Sequence, residues 1–252
     1  MRVIALANQK GGVGKTTSAI SIGVGLCRLG KTALLVDLDP QAHATYSLGI
    51  EAHDLAKTVY ELLKGEAKLA ETLVDKNGLK VLPSKLDLAG AEQELSGVPG
   101  REFLLREALD GLKGFDFVLI DCPPSLGLLT LIALTAAQGV FVPMQTEFLA
   151  LQGMSKLLET IEAVRQRLNK RLELSGIIGT RFDGRRVLNR EVVEKLKGYF
   201  GDKLFKTLIR ENIALAEAPA AGKTIYEYRP GSHGAEDYLS LCKEILERSG
   251  DA

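Results

Sequence analysis

A glycine-rich segment near the start of the chain has the composition of a phosphate-binding loop. Residues 8–17 have the sequence NQKGGVGKTT, between a short apolar run and a helical pattern. The three glycines let the backbone turn its N–H groups toward an anion, and the start of the helix adds a positive dipole end. Lys15 would reach the β- and γ-phosphates of a nucleotide, and the hydroxyl of Thr16 would bind Mg²⁺. The predicted phosphate-binding residues are Lys10, Gly11, Gly12, Val13, Gly14, Lys15, Thr16 and Thr17.

This loop departs from the standard pattern G-x-x-x-x-G-K-[ST] in two ways. Gln9 stands where the pattern has its first glycine, and Lys10 adds a second lysine. A plain glycine-rich turn is the alternative interpretation, but an apolar strand, the GKT triplet and a helix in this order favour the phosphate loop. Lys10 would bring a second cation to a triphosphate, and it could lie over the nucleotide of a facing subunit, as an arginine finger does in trans.

Three aspartates follow apolar runs that have the character of buried strands. Asp37 and Asp39 end the segment LLVDLD, and Asp121 ends the segment VLID. A strand-end aspartate is the residue that holds the magnesium of a bound nucleotide in P-loop NTPases, and Asp121 follows the clearer run. Of the other two, one would hold the water shell of the metal and the other would orient the attacking water. Each aspartate alone could instead be a helix cap or a turn residue.

Short apolar runs alternate with helical patterns along the whole chain. Several runs are apolar on both faces, as in parallel strands that are covered by helices on both sides. This alternation predicts an α/β fold with a doubly wound, mostly parallel sheet and helices on both faces, in a single domain over residues 1–252. The predicted strands are 3–7, 33–36, 81–82, 117–120, 140–143, 177–180 and 204–209. The predicted helices are 15–29, 56–64, 86–95, 101–112, 126–137, 150–169, 188–199 and 235–248.

The composition is that of a globular protein rather than of a disordered, membrane-spanning or disulfide-rich one. Of the 252 residues, 46% are hydrophobic and 25% are charged, which excludes disorder of the whole chain. No apolar stretch approaches the length of about 18 residues that spans a bilayer, and the start of the chain does not resemble a signal peptide. The three cysteines are isolated and odd in number, so we expect a reducing, cytoplasmic environment.

The net charge of zero conceals a basic segment. Between residues 165 and 210 there are 13 Lys or Arg residues against five Asp or Glu residues. A local basic face can bind a polyanion although the whole protein is neutral, and a dimer would double it. The alternative is an ordinary solvated helix face. The residues predicted to contact DNA are Arg185, Arg186, Arg190 and Lys206.

The motifs KGGVGKTT, VDLDPQ and VLIDCPPS, in this order and at these strand ends, resemble those of the deviant Walker A ATPases of the ParA/MinD group. The resemblance continues through QTE at 145–147 and NIALAEAP at 212–219, and the LAEAP segment with the following GK favours the partition branch. It implies that Lys10 contacts the nucleotide of the partner subunit, Asp39 positions the hydrolytic water and Asp121 is the Walker B acid. The implied catalytic residues are Lys10, Lys15 and Asp39; the implied metal-binding residues are Thr16, Asp39 and Asp121.

The resemblance also implies a function. Arg210, Glu211 and Asn212 match a segment that flanks adenine in the family, although the family often has Pro-Arg-Asn there. ATP with Mg²⁺ would close a homodimer, and this dimer would bind double-stranded DNA without sequence preference. A ParB-like centromere-binding protein would stimulate weak ATP hydrolysis and release. The chain would then be a partition ATPase for a chromosome or plasmid, in the cytoplasm and on the nucleoid.

Three other functions are compatible with the sequence. A ParA-like ATPase can position a protein cargo on the nucleoid instead of DNA. A MinD-like positioning ATPase would need a basic amphipathic C-terminal helix, whereas residues 236–248 carry more acidic than basic residues, so no membrane partner is expected. A metabolic ATP-dependent enzyme would need an acceptor site, and no catalytic residues beyond the phosphate site are recognisable.

Overall fold

The strands form one twisted sheet. The computed structural model describes residues 1–147, 151 and 153–250. Within these residues, seven strands pair in the order β3-β4-β2-β5-β1-β6-β7, and every pair is parallel except β3 with β4. The strands are β1 (Arg2–Leu6), β2 (Ala33–Asp37), β3 (Val74–Lys76), β4 (Leu79–Leu82), β5 (Phe117–Asp121), β6 (Gly139–Gln145) and β7 (Glu173–Thr180).

Helices connect the parallel strands. They are α1 (Lys15–Arg28), α2 (His43–Ser47), α3 (Val59–Leu63), α4 (Leu69–Thr72), α5 (Leu88–Glu94), α6 (Leu104–Leu109), α7 (Leu128–Ala136), α8 (Met154–Arg167), α9 (Val187–Phe200), α10 (Ala214–Ala220), α11 (Ile225–Tyr228) and α12 (His233–Ser249). A parallel pair of strands requires such a crossover, because a tight hairpin can join only antiparallel strands.

The central strands are buried on both faces, which explains their continuous apolar sequences. In β2, Leu34 and Val36 contact one apolar core, and Ala33 and Leu35 contact the core on the other side. This division follows from the alternation of side chains along a strand. Side chains from α3 and α5 to α9 complete the first core, and side chains from α1, α2, α11 and α12 complete the second. The predicted doubly wound α/β fold is confirmed.

One predicted strand is wrong. Residues 204–209 form no strand; they join β7 through an isolated bridge from Leu204 to Ile177 and through the N–H of Ile209, which donates to the carbonyl of Gly179 at 2.8 Å. The backbone N–H groups of Lys206 and Thr207 instead donate to the carboxylate of Glu244 on α12, at 2.8 and 2.9 Å. The apolar pattern arises because Leu204, Phe205 and Ile209 are buried, without any strand ladder.

Other differences concern short or marginal elements. The antiparallel edge strand β3 and the short helices α2, α4, α10 and α11 were not predicted. Of the apolar stripe predicted within 150–169, Met154, Leu157, Ile161 and Val164 are buried, and Leu151 and Leu158 are partly buried against the same core. Residues 150 and 152 of that prediction lie outside the described residues. No helix in the described ranges is both long enough and apolar enough to cross a membrane.

The close packing of α1 on α12 leads to a stability prediction. A methyl group at Gly25 would lie 2.5 Å from Sγ of Cys242 and 2.7 Å from the hydroxyl oxygen of Tyr226. Overpacking of this kind costs about 1–3 kcal/mol, so Gly25→Ala should lower the free energy of unfolding in urea. Gly198→Ala is the matched control, because a methyl group there meets nothing within 4 Å; it should stabilise by up to ~1 kcal/mol. Equal stabilisation of both variants would contradict this packing.

Candidate functional site

The predicted phosphate loop and the strand-end aspartates meet at one edge of the sheet. β5 lies between β1 and β2, and in this register Asp121 stands opposite Leu6 on one side and Asp37 on the other. The loop at residues 7–14 follows β1 at the same edge. Ligands of open parallel sheets bind at the carboxyl ends of the strands, and the residues with the chemistry predicted above lie together there.

The loop has a backbone that only glycine adopts easily. Gly12 has a φ of 71° and Gly14 a φ of 92°, both in the left-handed region that disfavours side chains. The carbonyl of Gly14 accepts the first hydrogen bond of α1, from the N–H of Ser18 at 2.9 Å. Two side chains from neighbouring strands hold the loop: Gln145 donates to the carbonyl of Gly12 at 2.8 Å, and Thr180 donates to that of Val13 at 2.9 Å.

The two lysines of the loop differ in exposure. Lys15 is only 7% exposed, and its Nζ donates to the carbonyl of Lys10 at 3.4 Å. Burial lowers the pKa of Lys15, while the nearby carboxylates of Asp121 and Asp39 oppose this shift. The side chain of Lys10 is exposed. The buried lysine is therefore directed into the loop, whereas Lys10 is accessible to a group that comes from outside.

Asp121 is a buried carboxylate without a protein partner. It is 0% exposed, and neither of its oxygens has a hydrogen-bond partner in the described part of the chain. Burial raises the pKa of Asp121 well above its usual value and the neighbouring Asp37 raises it further, while the nearby hydroxyl of Thr16 and the charge of Lys15 oppose this rise. Removing a carboxylate from water without a partner is strongly unfavourable. Such a group at the mouth of a phosphate loop has the properties of a site for a cation.

Asp37, in contrast, is fully bonded to its own surroundings. One of its oxygens accepts the N–H and the hydroxyl of Thr45, at 2.9 and 2.8 Å, and the other accepts the N–H of Asp39 at 3.1 Å. Burial raises the pKa of Asp37 to about 6, although these hydrogen bonds oppose the shift. The carboxylate orders the turn after β2 through these three hydrogen bonds.

Asp39 lies directly after this turn and is 7% exposed. Its Oδ1 accepts the N–H of Gln41 at 2.9 Å, and its backbone carbonyl accepts the hydroxyl of Ser84 at 2.8 Å. Ser84 in turn donates its N–H to Oγ1 of Thr45 at 3.0 Å. The position of Asp39 is therefore fixed from both sides, by the turn after β2 and by the segment after β4.

The residues at this edge fit Mg²⁺ bound together with a nucleotide. In the described ranges, no group of three or more His, Cys, Asp or Glu side chains forms a ready metal cage. Mg²⁺ does not require such a cage, since it keeps several waters and binds one or two protein oxygens together with phosphate oxygens. The hydroxyl of Thr16, in the first turn of α1, and the unpartnered carboxylate of Asp121 are donors of this kind.

A groove of about 600 Å³ lies beside the loop. It brings the predicted segment 210–212 next to the phosphate loop, and it is mostly apolar where Ile209, Ile213 and Leu215 line it. Its lining residues are Gly12, Val13, Gly14, Thr17, Thr180, Arg181, Ile209, Arg210, Glu211, Asn212, Ile213, Leu215, Ala216 and Tyr238. A flat apolar base beside bound phosphates would fit a groove with this lining.

Three of the four residues predicted to contact DNA lie together at the start of α9. The side chain of Arg185 is 91% exposed and donates two hydrogen bonds to Asp183, at 2.9 and 3.0 Å. Arg186 pairs with Asp183 and with Glu211, each at 3.3 Å, and Arg190 donates to the carbonyl of Gly184. Hydrogen bonds from Arg185 and the nearby charge of Arg186 lower the pKa of Asp183 to about 2. The cluster is exposed, but carboxylates balance part of its charge.

Lys206 lies apart from this cluster. It is exposed and lines a different groove, of about 660 Å³, together with Val193, Glu194 and Lys197 of α9. The structure therefore does not bring all four residues into one group. It places three at the start of α9 and Lys206 beside the later turns of the same helix.

Several residues of the site were not predicted individually. Gln145 and Thr180 hold the loop, and Thr45 and Ser84 fix the aspartates. Gln145 and Thr180 each end a buried strand, so a polar residue at the carboxyl end of an apolar run was an available signal. The roles of Thr45 and Ser84 depend on contacts between distant segments, for which the sequence contains no local signal.

The family is decided by comparison with known proteins. A family model described as an AAA domain matches residues 1–174. The chain is 51% identical to the chromosome-partitioning ATPase Soj of Thermus thermophilus over 100% of its own length and 98% of the relative. The chain belongs to the ParA/Soj family of partition ATPases. The predictions of this family and of an ATPase are confirmed.

A second relative supports the membership of the ParA/Soj family, and a solved structure shares the fold. The chromosome partitioning protein ParA of Caulobacter vibrioides is 43% identical over 100% of this chain and 96% of that protein. A crystal structure of a Mycobacterium smegmatis protein that is named cobyrinic acid a,c-diamide synthase, with bound ADP and magnesium, is 40% identical. It superposes with a TM-score of 0.88 over 99% of this chain and 96% of that chain.

The bonds of Thr45 lead to a prediction for the turn that carries Asp39. Thr45→Val keeps the shape of the side chain but removes the hydroxyl that donates to Asp37 and accepts from Ser84. Because both partners are buried, we expect a loss of about 2–4 kcal/mol in the free energy of unfolding, measured in urea. Thr160→Val is the control, because the hydroxyl of Thr160 bonds only within α8; the expected change is within about 0.5 kcal/mol. Equal effects would show that the bonds of Thr45 do not stabilise the site.

Proposed function

We propose that this chain is an ATP-dependent dimerising switch with weak ATPase activity. In its ATP state it binds double-stranded DNA without sequence preference and, with a ParB-like partner, drives the partition of a chromosome or plasmid. It acts as a single P-loop ATPase domain over residues 1–252, in the cytoplasm and on the nucleoid. The observation that carries the proposal is the unpartnered, buried carboxylate of Asp121 at the mouth of a glycine loop, in a chain related to partition ATPases.

The phosphates of ATP bind in the loop at residues 10–17. The backbone N–H groups of its glycines and the start of α1 face the phosphates, and Lys15 neutralises their charge from inside the loop. Thr16 and Asp121 would hold Mg²⁺, which when bound would supply positive charge beside the phosphate oxygens.

Hydrolysis needs a positioned water and a closed site. Asp39, fixed by the turn after β2, orients the attacking water toward the γ-phosphate and can accept its proton. The exposed Lys10 contacts the nucleotide of the facing subunit, so the site is complete only in the dimer. Because the second cation comes from the other subunit, the dimer forms with ATP and separates after hydrolysis.

The base of ATP lies in the groove beside the loop. Arg210, Glu211 and Asn212 line this groove opposite Gly12 and Thr17. The guanidinium of Arg210 is bound by Asp237 and does not point freely at a ligand. We therefore assign the recognition of adenine to the backbone and shape of this segment rather than to the charge of Arg210.

The basic cluster at the start of α9 supplies the DNA contact. Arg185, Arg186 and Arg190 contact phosphates, and Lys206 extends the surface along the same helix. Contacts of this kind carry no sequence information and weaken steeply with salt, because counterions are released from the DNA. Dimerisation doubles the number of phosphates that are contacted, which links DNA binding to the ATP state.

A metabolic ATP-dependent enzyme is the second candidate. One observation favours it, namely that a solved structure with 40% sequence identity is named a diamide synthase. The partition function is preferred because relatives at 51% and 43% identity over the full chain are named for partition. The two are separable by turnover: a synthase would consume ATP only with its acceptor, whereas the partition ATPase should respond to DNA and a ParB-like protein.

Asp39→Ala tests the assignment of the hydrolytic water. The variant should bind ATP and form a dimer that persists, while ATP turnover falls by about 100-fold or more, since water activation by a positioned side chain contributes this much. Phosphate release and sedimentation with ATP measure the two effects. Asp54→Ala, at an exposed aspartate, is the control with unchanged turnover. Wild-type turnover by Asp39→Ala would refute the assignment.

The two lysines of the loop should have different effects when they are replaced. Lys15→Ala should lose nucleotide binding, and Lys10→Ala should bind ATP without forming a productive dimer.

Charge reversal at the start of α9 tests the DNA surface. The variant with Arg185→Glu and Arg186→Glu should dimerise with ATP but bind random-sequence duplex DNA more weakly. The slope of log affinity against log salt should become shallower by about 0.9 for each phosphate that the variant no longer binds. Lys113→Glu with Lys243→Glu is the matched control, because it makes the same charge change at exposed positions outside the basic segment. Unchanged DNA affinity in the arginine variant would place the DNA surface elsewhere.

A further inference from the structure

The last helix of the chain connects the two walls of the groove beside the phosphate loop. One wall is formed by the loop and the start of α1, and the other by residues 209–216. Two consecutive residues of α12, Asp237 and Tyr238, bond to these two walls. They are buried, with exposures of 7% and 1%.

Asp237 binds the segment of residues 209–216. One of its oxygens accepts the backbone N–H of Arg210 at 2.9 Å, and the guanidinium of Arg210 donates to both oxygens at 2.6 to 3.0 Å. Charge-assisted bonds to a buried carboxylate are much stronger than pairs on the surface. Asp237 thus fixes both the backbone and the side chain of Arg210.

Tyr238 binds the other wall. Its hydroxyl and that of Ser18 in α1 are 2.9 Å apart and share a hydrogen bond, and the tyrosine ring lines the groove. One helix thus connects the start of α1 with the segment 209–216. On the side of the sheet, this segment is also joined to β7 and the residues after it, by the N–H of Ile209 to Gly179, by a bridge from Arg210 to Phe182 and by the pairs of Glu211 with Arg181 and Arg186.

We propose that Asp237 is a positioning residue for the nucleotide base: by holding Arg210 it fixes residues 209–216 at the distance from the loop that fits adenine. This inference rests on the proposed placement of the base in the groove. It requires that loss of Asp237 weakens ATP binding and the preference for adenine over guanine. The rate at saturating ATP should remain unchanged, because Asp237 makes no hydrogen bond to the phosphate and metal residues.

Glu244 provides a matched control on the same helix. It lies seven residues after Asp237, and its carboxylate likewise accepts two backbone N–H groups, those of Lys206 and Thr207, and pairs with an arginine, Arg248. The residues that it holds do not line the groove. A substitution of Glu244 breaks the same kind of hydrogen bond, but it leaves the groove that is proposed to hold the base unchanged.

The experiment compares Asp237→Asn with Glu244→Gln in the full-length chain. The asparagine can still accept one hydrogen bond, but its NH₂ group opposes the donors of Arg210. We expect KM for ATP to rise roughly tenfold, the factor that corresponds to one charged hydrogen bond, with kcat unchanged and with the KM ratio of GTP to ATP reduced. Glu244→Gln should lower the melting temperature about as much as Asp237→Asn does, but it should leave KM for ATP and the KM ratio of GTP to ATP unchanged. Asp237→Glu retains the charge and should restore part of the affinity.

The outcomes separate this inference from the proposed base site. Photolabelling of the wild-type chain with 8-azido-ATP, followed by peptide mapping, tests the base site alone. A label outside the residues that line the groove would refute the base site and the inference with it. A label within the groove, with equal KM and equal base preference in Asp237→Asn and wild type, would overturn only the role of Asp237. If Asp237→Asn does not fold, Arg210→Gln replaces it, because it removes the guanidinium that Asp237 holds. Wild-type KM and base preference in that variant would likewise overturn the role of Asp237.

Discussion

The burial of two opposing carboxylates at the edge of the sheet is the constraint on which this site depends. Asp37 and Asp121 stand opposite each other on adjacent central strands, and both are completely buried. Thr45 and the turn after β2 satisfy Asp37, but no described protein atom satisfies Asp121. The charged form of a carboxylate that is buried without a partner is strongly unfavourable, and the pKa of Asp121 is raised accordingly. Lys15 is a cation close to it, and in the proposed function magnesium bound with a nucleotide is the second.

The remaining parts of the molecule connect this edge to the surface. The loop is held by side chains at the ends of β6 and β7, and the segment at residues 209–216 is held by α12. Glu211 lines the groove and also pairs with Arg186 in the basic cluster at the start of α9. A nucleotide in the groove would therefore lie one residue away from the surface that is proposed to bind DNA.

Much of this arrangement could be predicted from the sequence, because it depends on local patterns and on one topological rule. The glycine loop, Lys15 and Asp121 are recognisable by their positions after apolar runs, and parallel strands bring such positions to one edge. Contacts between distant segments are not predictable in this way. The pattern at 204–209 indicates a strand, yet Glu244, almost 40 residues later, accepts its N–H groups. The distinct roles of Asp37 and Asp39 likewise depend on Thr45 and Ser84.

The most direct test of the proposed switch is whether ATP controls DNA binding. The measurement is binding of the Asp39→Ala chain, which should hold ATP without turnover, to random-sequence duplex DNA with ATP, with ADP and without nucleotide, over a series of salt concentrations. We predict binding with ATP only, with an affinity that falls steeply as salt increases. Equal binding in all three states, or no binding in any of them, would contradict the proposal.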